Sequence, residues 1–422
     1  MSRPVRSPSR PAGGIGPGLL SALALLSAAA PLGTDMYLPG LVAMAGDLGA
    51  TASTIQLTLT TFMAGLAIGQ LLAGPISDAV GRRRMLIGSS MAFLVSSVAC
   101  ALAPTAGALV ALRLLQGLAG GAGVVVGRAV IPDLVHGAAA ARAYSLMMAI
   151  NGIAPVVGPV LGGILIPVTG WRGVFWTLAL VNGVMIAASV LVVPESLPPS
   201  RRSSGAVRGL LPGIARVLRV PGFVPLLLAF AIGFSVMFAY ISGSPFVLQD
   251  QLGLSPRTYS LVFGFNGLLI VAMSAINARL VGRIGARALL VAGLAAALLA
   301  SAGLLAGALA GPSLTVTLPL MAVAVASMGL ILGNATTLAL DRVSDAGAGV
   351  GAASGLLGFL QFTCAAIISP LVGLGSSASL SMAVTMTGAG VVALACALAG
   401  LRGSRGGGGV GRGLRRRRVT LG

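Results

Sequence analysis

Long apolar runs alternate with short polar hinges over almost the whole of this chain. A helix needs about 20 apolar residues to cross a bilayer, and runs of that length fall at roughly 18–41, 54–77, 84–103, 107–131, 143–167, 171–194, 222–248, 257–281, 286–309, 313–335, 348–372 and 379–401. The pattern predicts an all-α membrane protein of twelve spans. The longest break, about 195–221, is polar and rich in Pro, Ser and Arg, and divides the chain into two six-helix bundles, 18–194 and 222–401. Residues 1–17 and 402–422 are Arg- and Gly-bearing tails, expected to be disordered and cytoplasmic. A basic start before an apolar run also fits a signal peptide, but this run reaches Leu41 and further spans follow, so we read it as span 1.

Composition excludes a soluble chain: 56% of residues are hydrophobic, 8% are charged, and the mean hydropathy is +1.01. The formal charge of +19 invites a nucleic-acid reading. All 27 basic residues are arginines, however, and all but Arg113 and Arg128 of span 4 stand in hinges and tails, where they set topology beside anionic lipid. With twelve spans, 23 arginines fall on the side of the tails and two, Arg172 and Arg257, on the other. Cytoplasmic loops carry the positive excess, so both termini are expected inside a bacterial cell membrane. Cys100, Cys364 and Cys396 lie in apolar runs as packing residues, and the single His136 stands in a loop. That inventory supplies neither a metal site nor a His-based triad, and no phosphate-binding loop occurs. We expect no cofactor, no nucleic-acid partner, no enzyme activity and a monomer.

Charge inside a span is costly and marks function by default. Span 1 carries one acid, Asp35, in Gly33-Thr34-Asp35-Met36-Tyr37-Leu38-Pro39. Burial disfavours the ionised carboxyl and a nearby cation favours it, so a site that alternates between the two can take up and release a proton. Span 4 carries Arg113, at a comparable depth in an oppositely directed helix, so the two are expected to pair or exchange partners. The alternative for each is a fixed structural ion pair. Between spans 2 and 3, Gly74-Pro-Ile-Ser-Asp78-Ala-Val-Gly81-Arg82-Arg83-Arg84 forms a tight basic hinge. Gly74 is expected to allow close helix approach. Asp133, just past span 4, is expected to join Asp78 and Arg82 in a latch that holds one conformation shut. The stretch Gly282-Arg-Ile-Gly285-Ala-Arg287 echoes this hinge in the second half.

The hinge resembles the signature loop of the major facilitator superfamily. The Gly152-x-x-Pro155-x-x-Gly158-Pro159-x-x-Gly162-Gly163 run of span 5 is similar to that superfamily's antiporter motif. Together with Asp35-Met-Tyr-Leu-Pro39, Leu112-Arg113-Leu-Leu-Gln116 and Tyr240-Ile-Ser242-Gly-Ser-Pro-Phe246, these motifs resemble the Bcr/CflA branch of drug:proton antiporters. The resemblance implies a two-half facilitator fold and proton-driven export of small amphipathic drugs such as bicyclomycin, sulfonamides or phenicols. Asp35 and Arg113 would serve proton coupling. A central cavity would be lined by Tyr37, Gln70, Gln116, Phe234, Phe238, Tyr240, Ser242, Phe246, Asn266 and Gln361, with Phe263 and Phe265 adding to its aromatic wall. Two positions depart from related antiporters: Ser27 where some carry a second acid, and Ala79 where the loop usually holds a polar residue. A same-fold exporter of an endogenous metabolite remains the alternative, with a membrane-embedded enzyme or sensor behind it.

Overall fold

The structure, a computed structural model, describes residues 17–135, 137–202, 206–375 and 377–402. The greater part of both tails and His136 therefore lie outside the described residues. Fourteen α-helices follow in order: α1 Pro17–Asp35, α2 Leu41–Asp47, α3 Ala52–Val80, α4 Arg82–Ala101, α5 Ala106–Leu134, α6 Gly137–Val192, α7 Ala206–Leu218, α8 Phe223–Pro245, α9 Pro256–Ile284, α10 Ala286–Ala310, α11 Leu314–Ala326, α12 Met328–Asp345, α13 Val350–Leu371 and α14 Ala378–Arg402. The described residues contain no strand. Ten stretches are long and apolar enough to cross a membrane. One of these, Ile153–Val192, breaks at Gly170 into spans 5 and 6, and α1 completes twelve.

Local sequence explains where the helices begin and stop. Thr51, Thr105 and Ser255 accept hydrogen bonds from the backbone N–H three residues on, each at 3.2 Å, and so cap α3, α5 and α9. Gly81 and Gly285 close the hinges after α3 and α9 with φ of +110° and +88°, a region that favours glycine. The landmarks repeat in register. Gly49, Thr51, α3 and Gly81 in the first half correspond to Gly253, Ser255, α9 and Gly285 in the second, and both helices run for 29 residues. This is the pseudosymmetry of two six-helix halves.

Lipid offers no hydrophobic drive for helix association, so small residues bring backbones together instead. A methyl group on Gly65 or Gly69 of α3 would strike the backbone of Leu114 or Leu118 in α5, and one on Gly117 would strike Phe62. Gly74 has no such role, since a methyl there would meet only Val125 at 3.9 Å. The close approach lies deeper in the span than the hinge motif suggests.

Four expected elements differ. Span 1 ends at Asp35 and turns through Leu38–Gly40 into α2, because Pro39 cannot extend the helical hydrogen bonding. Spans 5 and 6 have no loop between them; Gly170, at φ +68°, reverses the chain on the spot. Span 10 bends at Ser327 and continues to Asp345. The linker contains a helix, α7, which touches both α3 and α13. The described chain starts and finishes at one end of the molecule, where the carbonyl of Gly400 accepts from Arg342 and α1 begins beside Val192. We call this the terminal end, and the opposite one the far end.

Candidate functional site

A cavity of about 720 Å³ lies between the halves. It starts at Asp35, near the far end of α1, and runs toward the terminal end as far as Arg128 and Ser274. Drug-sized sites are mostly apolar with a few placed polar groups, and this wall has that character. Phe234 stacks on Phe238 with centroids 6.1 Å apart and meets Phe362 edge-on at 6.1 Å. Tyr240 stacks on Phe263 at 5.3 Å. Gln70 and Gln361 supply amides from α3 and α13, and Asn266 donates to the Tyr240 hydroxyl at 2.9 Å.

Seven residues expected on the cavity wall stand there: Gln70, Phe234, Phe238, Tyr240, Phe263, Asn266 and Gln361. Four expected with them stand elsewhere. Tyr37 follows the end of α1 and points away from the cavity, its hydroxyl 3.1 Å from that of Thr58. Gln116 is fully buried within the first half and donates to Ser97 at 2.7 Å. The Ser242 hydroxyl faces that of Ser369 at 3.0 Å, and Phe246 lies beyond it in a buried turn toward the far end. Phe265 is outside too, with 58% of its surface exposed on the outer face of α9. Phe362, Thr34 and Ile153 line the wall although the motifs did not single them out; Phe362 sits directly beside Gln361.

Asp35 and Arg113 do not pair. Arg113 has no exposed surface, and its Nη1 donates to the Gly33 carbonyl at 2.9 Å and to Gln116 Oε1 at 2.6 Å. Its guanidinium lies 4.2 Å from the Tyr37 ring centroid and 4.0 Å from that of Phe62, held by ring faces in place of an acid. Asp35 is 4% exposed, faces the cavity, and has no hydrogen-bond or ion-pair partner among the described residues. The span 5 motif fixes its place. A methyl on Gly158 would press on Asp35 Cβ at 3.3 Å, and one on Gly162 would run into the Met36 carbonyl. Gly163 lies against Ser260 of the second half, Pro155 lines the cavity, and Pro159 is buried. Gly152 lies in α6, in the turn before Pro155.

The far end is sealed by neutral groups from both halves. Gln56 Nε2 donates to the Ser242 carbonyl at 3.1 Å, and Ser369 Oγ donates to the Gln56 carbonyl at 3.2 Å. At the terminal end the hinge charges form the expected network. Arg82 pairs with Asp78 at 2.6 Å and Asp133 at 3.1 Å, and also donates to Ser77. Asp133 lies in the last turn of α5 and not past it. Arg83 Nη2 donates to the Val190 carbonyl at 2.6 Å. Glu195, which the motifs did not flag, accepts from the Arg82 backbone N–H at 2.9 Å and faces Arg202 at 3.5 Å. Every partner belongs to the first half or the start of the linker, so this network braces one half and does not tie the two together.

Residues 23–362 match the family model described as Major Facilitator Superfamily. The chain belongs to that superfamily. The facilitator is 36% identical over 371 residues to the MFS-type transporter YdgK of Bacillus subtilis (strain 168), covering 87% of this chain and 90% of that one. It is 33% identical over 273 residues to a chloramphenicol resistance protein of Pseudomonas aeruginosa, spanning 64% of this chain and 63% of the relative. It is 28% identical over 261 residues to the multidrug resistance protein MdtL of Escherichia coli, spanning 62% and 66%. Solved structures share the fold. A bacterial homologue of the human lysosomal transporter Spinster, inward-facing and occupied, superposes with a TM-score of 0.73 at 16% identity, covering 92% and 96% of the two chains. The peptide transporter POT in complex with sulfate reaches 0.74 at 14% identity, covering 92% and 95%. These neighbours are transporters, and this facilitator is a multi-pass membrane protein.

Proposed function

We propose that this facilitator exports small amphipathic drugs, uncharged phenicol-type compounds among them, in exchange for protons by alternating access. One observation carries the reading: Asp35, an acid with no counter-ion among the described residues, stands at the blind end of an aromatic-walled cavity of drug size. The names of two relatives, a chloramphenicol resistance protein and a multidrug resistance protein, support drugs as the cargo. The arginine asymmetry supports cytoplasmic termini in a bacterial inner membrane. In that orientation the far end is sealed against the outside and the cavity extends toward the cytoplasm, the conformation that loads drug. Protonation of Asp35 from outside competes with drug bound from inside. The drive is the proton gradient, with no cofactor, and a monomer suffices.

The test is proton movement in everted vesicles energised by respiration. We expect addition of chloramphenicol to dissipate the pH gradient with the wild-type chain and not with Asp35→Asn. Dissipation by both would move the proton site elsewhere. Silence across a drug panel would point to a dedicated exporter of an endogenous metabolite.

A further inference from the structure

Asp35 belongs to the first half, yet all that holds it in place there is backbone packing. Its expected cation is committed to Gly33, Gln116 and two aromatic faces. The groups that face it across the cavity belong to the second half. Tyr240 of α8 lines the same cavity, and both Tyr240 and Tyr259 lie within electrostatic reach of the Asp35 carboxylate.

The two tyrosines are not equivalent. The Tyr259 hydroxyl is 3.2 Å from that of Ser244, and Tyr259 is not part of the cavity wall. The Tyr240 hydroxyl receives a hydrogen bond from Asn266 Nδ2 at 2.9 Å and its ring is set by the stack on Phe263. A phenol has one proton to donate and two lone pairs. With Asn266 using one lone pair, the proton of Tyr240 faces the Ser244 hydroxyl, which Tyr259 also engages, and the open cavity. Asp35 stands on the same cavity as a buried acceptor with no donor among the described residues. Among the described residues, the only other charged group lining the cavity is Arg128 of α5, at its terminal end, and Arg113 of the same helix is turned to Gly33 and Gln116.

We propose that Tyr240 is the second-half partner of Asp35, donating to the ionised carboxylate and letting go when that carboxylate takes up a proton. The inference rests on the proton-exchange reading above. It makes Tyr240 a positioning residue: Tyr240 carries no proton itself, but it links the charge state of the first half to the position of α8 in the second. A donor aimed at the ionised acid favours that form. Without it the acid holds its proton to higher pH, so the pH profile of transport moves upward.

The experiment uses the full chain in proteoliposomes, with chloramphenicol-driven proton exchange measured across a range of pH for wild type, Tyr240→Phe, Gly88→Ala and Asp35→Asn. We expect Tyr240→Phe to move the midpoint of the profile upward by about one pH unit, Gly88→Ala, where a methyl meets nothing within 4 Å, to leave it in place, and Asp35→Asn to abolish the exchange. A Tyr240→Phe profile that coincides with wild type, while Asp35→Asn is uncoupled, overturns the inference and leaves the reading standing. Exchange that persists in Asp35→Asn moves the proton site elsewhere and overturns the inference with it, and exchange that no pH change affects removes the proton-exchange reading itself. A second measurement needs no tyrosine variant. Ultraviolet resonance Raman spectra of wild type, titrated through the same midpoint, should show one of the four tyrosines losing its hydrogen-bond donor signature. The same titration of Asp35→Asn should show no change. A wild-type tyrosine signal that stays flat through the midpoint overturns the inference independently.

Discussion

A side chain in this molecule is defined by its depth as much as by its helix face. Arg113 shows the consequence for stability. It gains two hydrogen bonds and two ring faces but no counter-charge. A hydrogen bond to a charged group contributes roughly 1.5–3 kcal/mol, so Gln116→Leu should destabilise the detergent-solubilised protein by about that amount, read as a lower midpoint of thermal unfolding. Gly162→Ala should be worse for function than for folding, because the added methyl displaces the Met36 carbonyl and shifts Asp35 with it. Proton exchange should fall steeply in Gly162→Ala and stay at the wild-type level in Gly88→Ala, where a methyl meets nothing within 4 Å. Asp35 and the seven wall residues were legible because polar and aromatic groups in an apolar run are conspicuous. Tyr37, Gln116, Ser242 and Phe246 were equally conspicuous. What separates them is whether they fall beside the opening between the halves or in closed packing nearer the far end, and chain order carries no measure of that depth.

At the level of elements, the hydropathy pattern located every span, because the bilayer imposes one length on all of them. It placed the end of span 1 about six residues late and supposed a loop where Gly170 alone reverses the chain. The α7 helix was legible and was passed over: Leu210, Leu211, Ile214, Val217 and Leu218 recur at helical spacing, with Arg208 and Arg216 between them. Val217 is buried and Leu211 is 75% exposed, as befits a helix with one face on the protein. Where α3, α8 and α13 meet, a few neutral hydrogen bonds hold the far end shut. Each contributes only about 0.5–1.5 kcal/mol, a strength suited to a gate that must reopen in every cycle. Gln56→Ala removes the donor to Ser242. Spin labels at Gly107→Cys and Arg257→Cys, in a chain whose three native cysteines are replaced by alanine, should then report a distance distribution shifted to longer values. An unchanged distribution would show that apolar packing alone closes this end.

The whole molecule consists of two braced halves with one adjustable seam. The Arg82 salt bridges to Asp78 and Asp133 lie inside the first half. Orientation is a property at this scale too. A cytoplasmic reporter fused after Arg402 should be active and a periplasmic one silent, as the distribution of arginines demands. The isolation of Arg113 has a further, electrical consequence. A guanidinium keeps its charge at every pH proteins encounter, so the first half carries a permanent positive charge beside the acid at Asp35. In the exchange proposed above, a proton entering against an uncharged drug carries one positive charge across with each turnover. Each such charge draws about 2.3 kcal/mol from every 100 mV of membrane potential. Voltage alone, with pH equal on both sides, should therefore suffice to concentrate the drug outside.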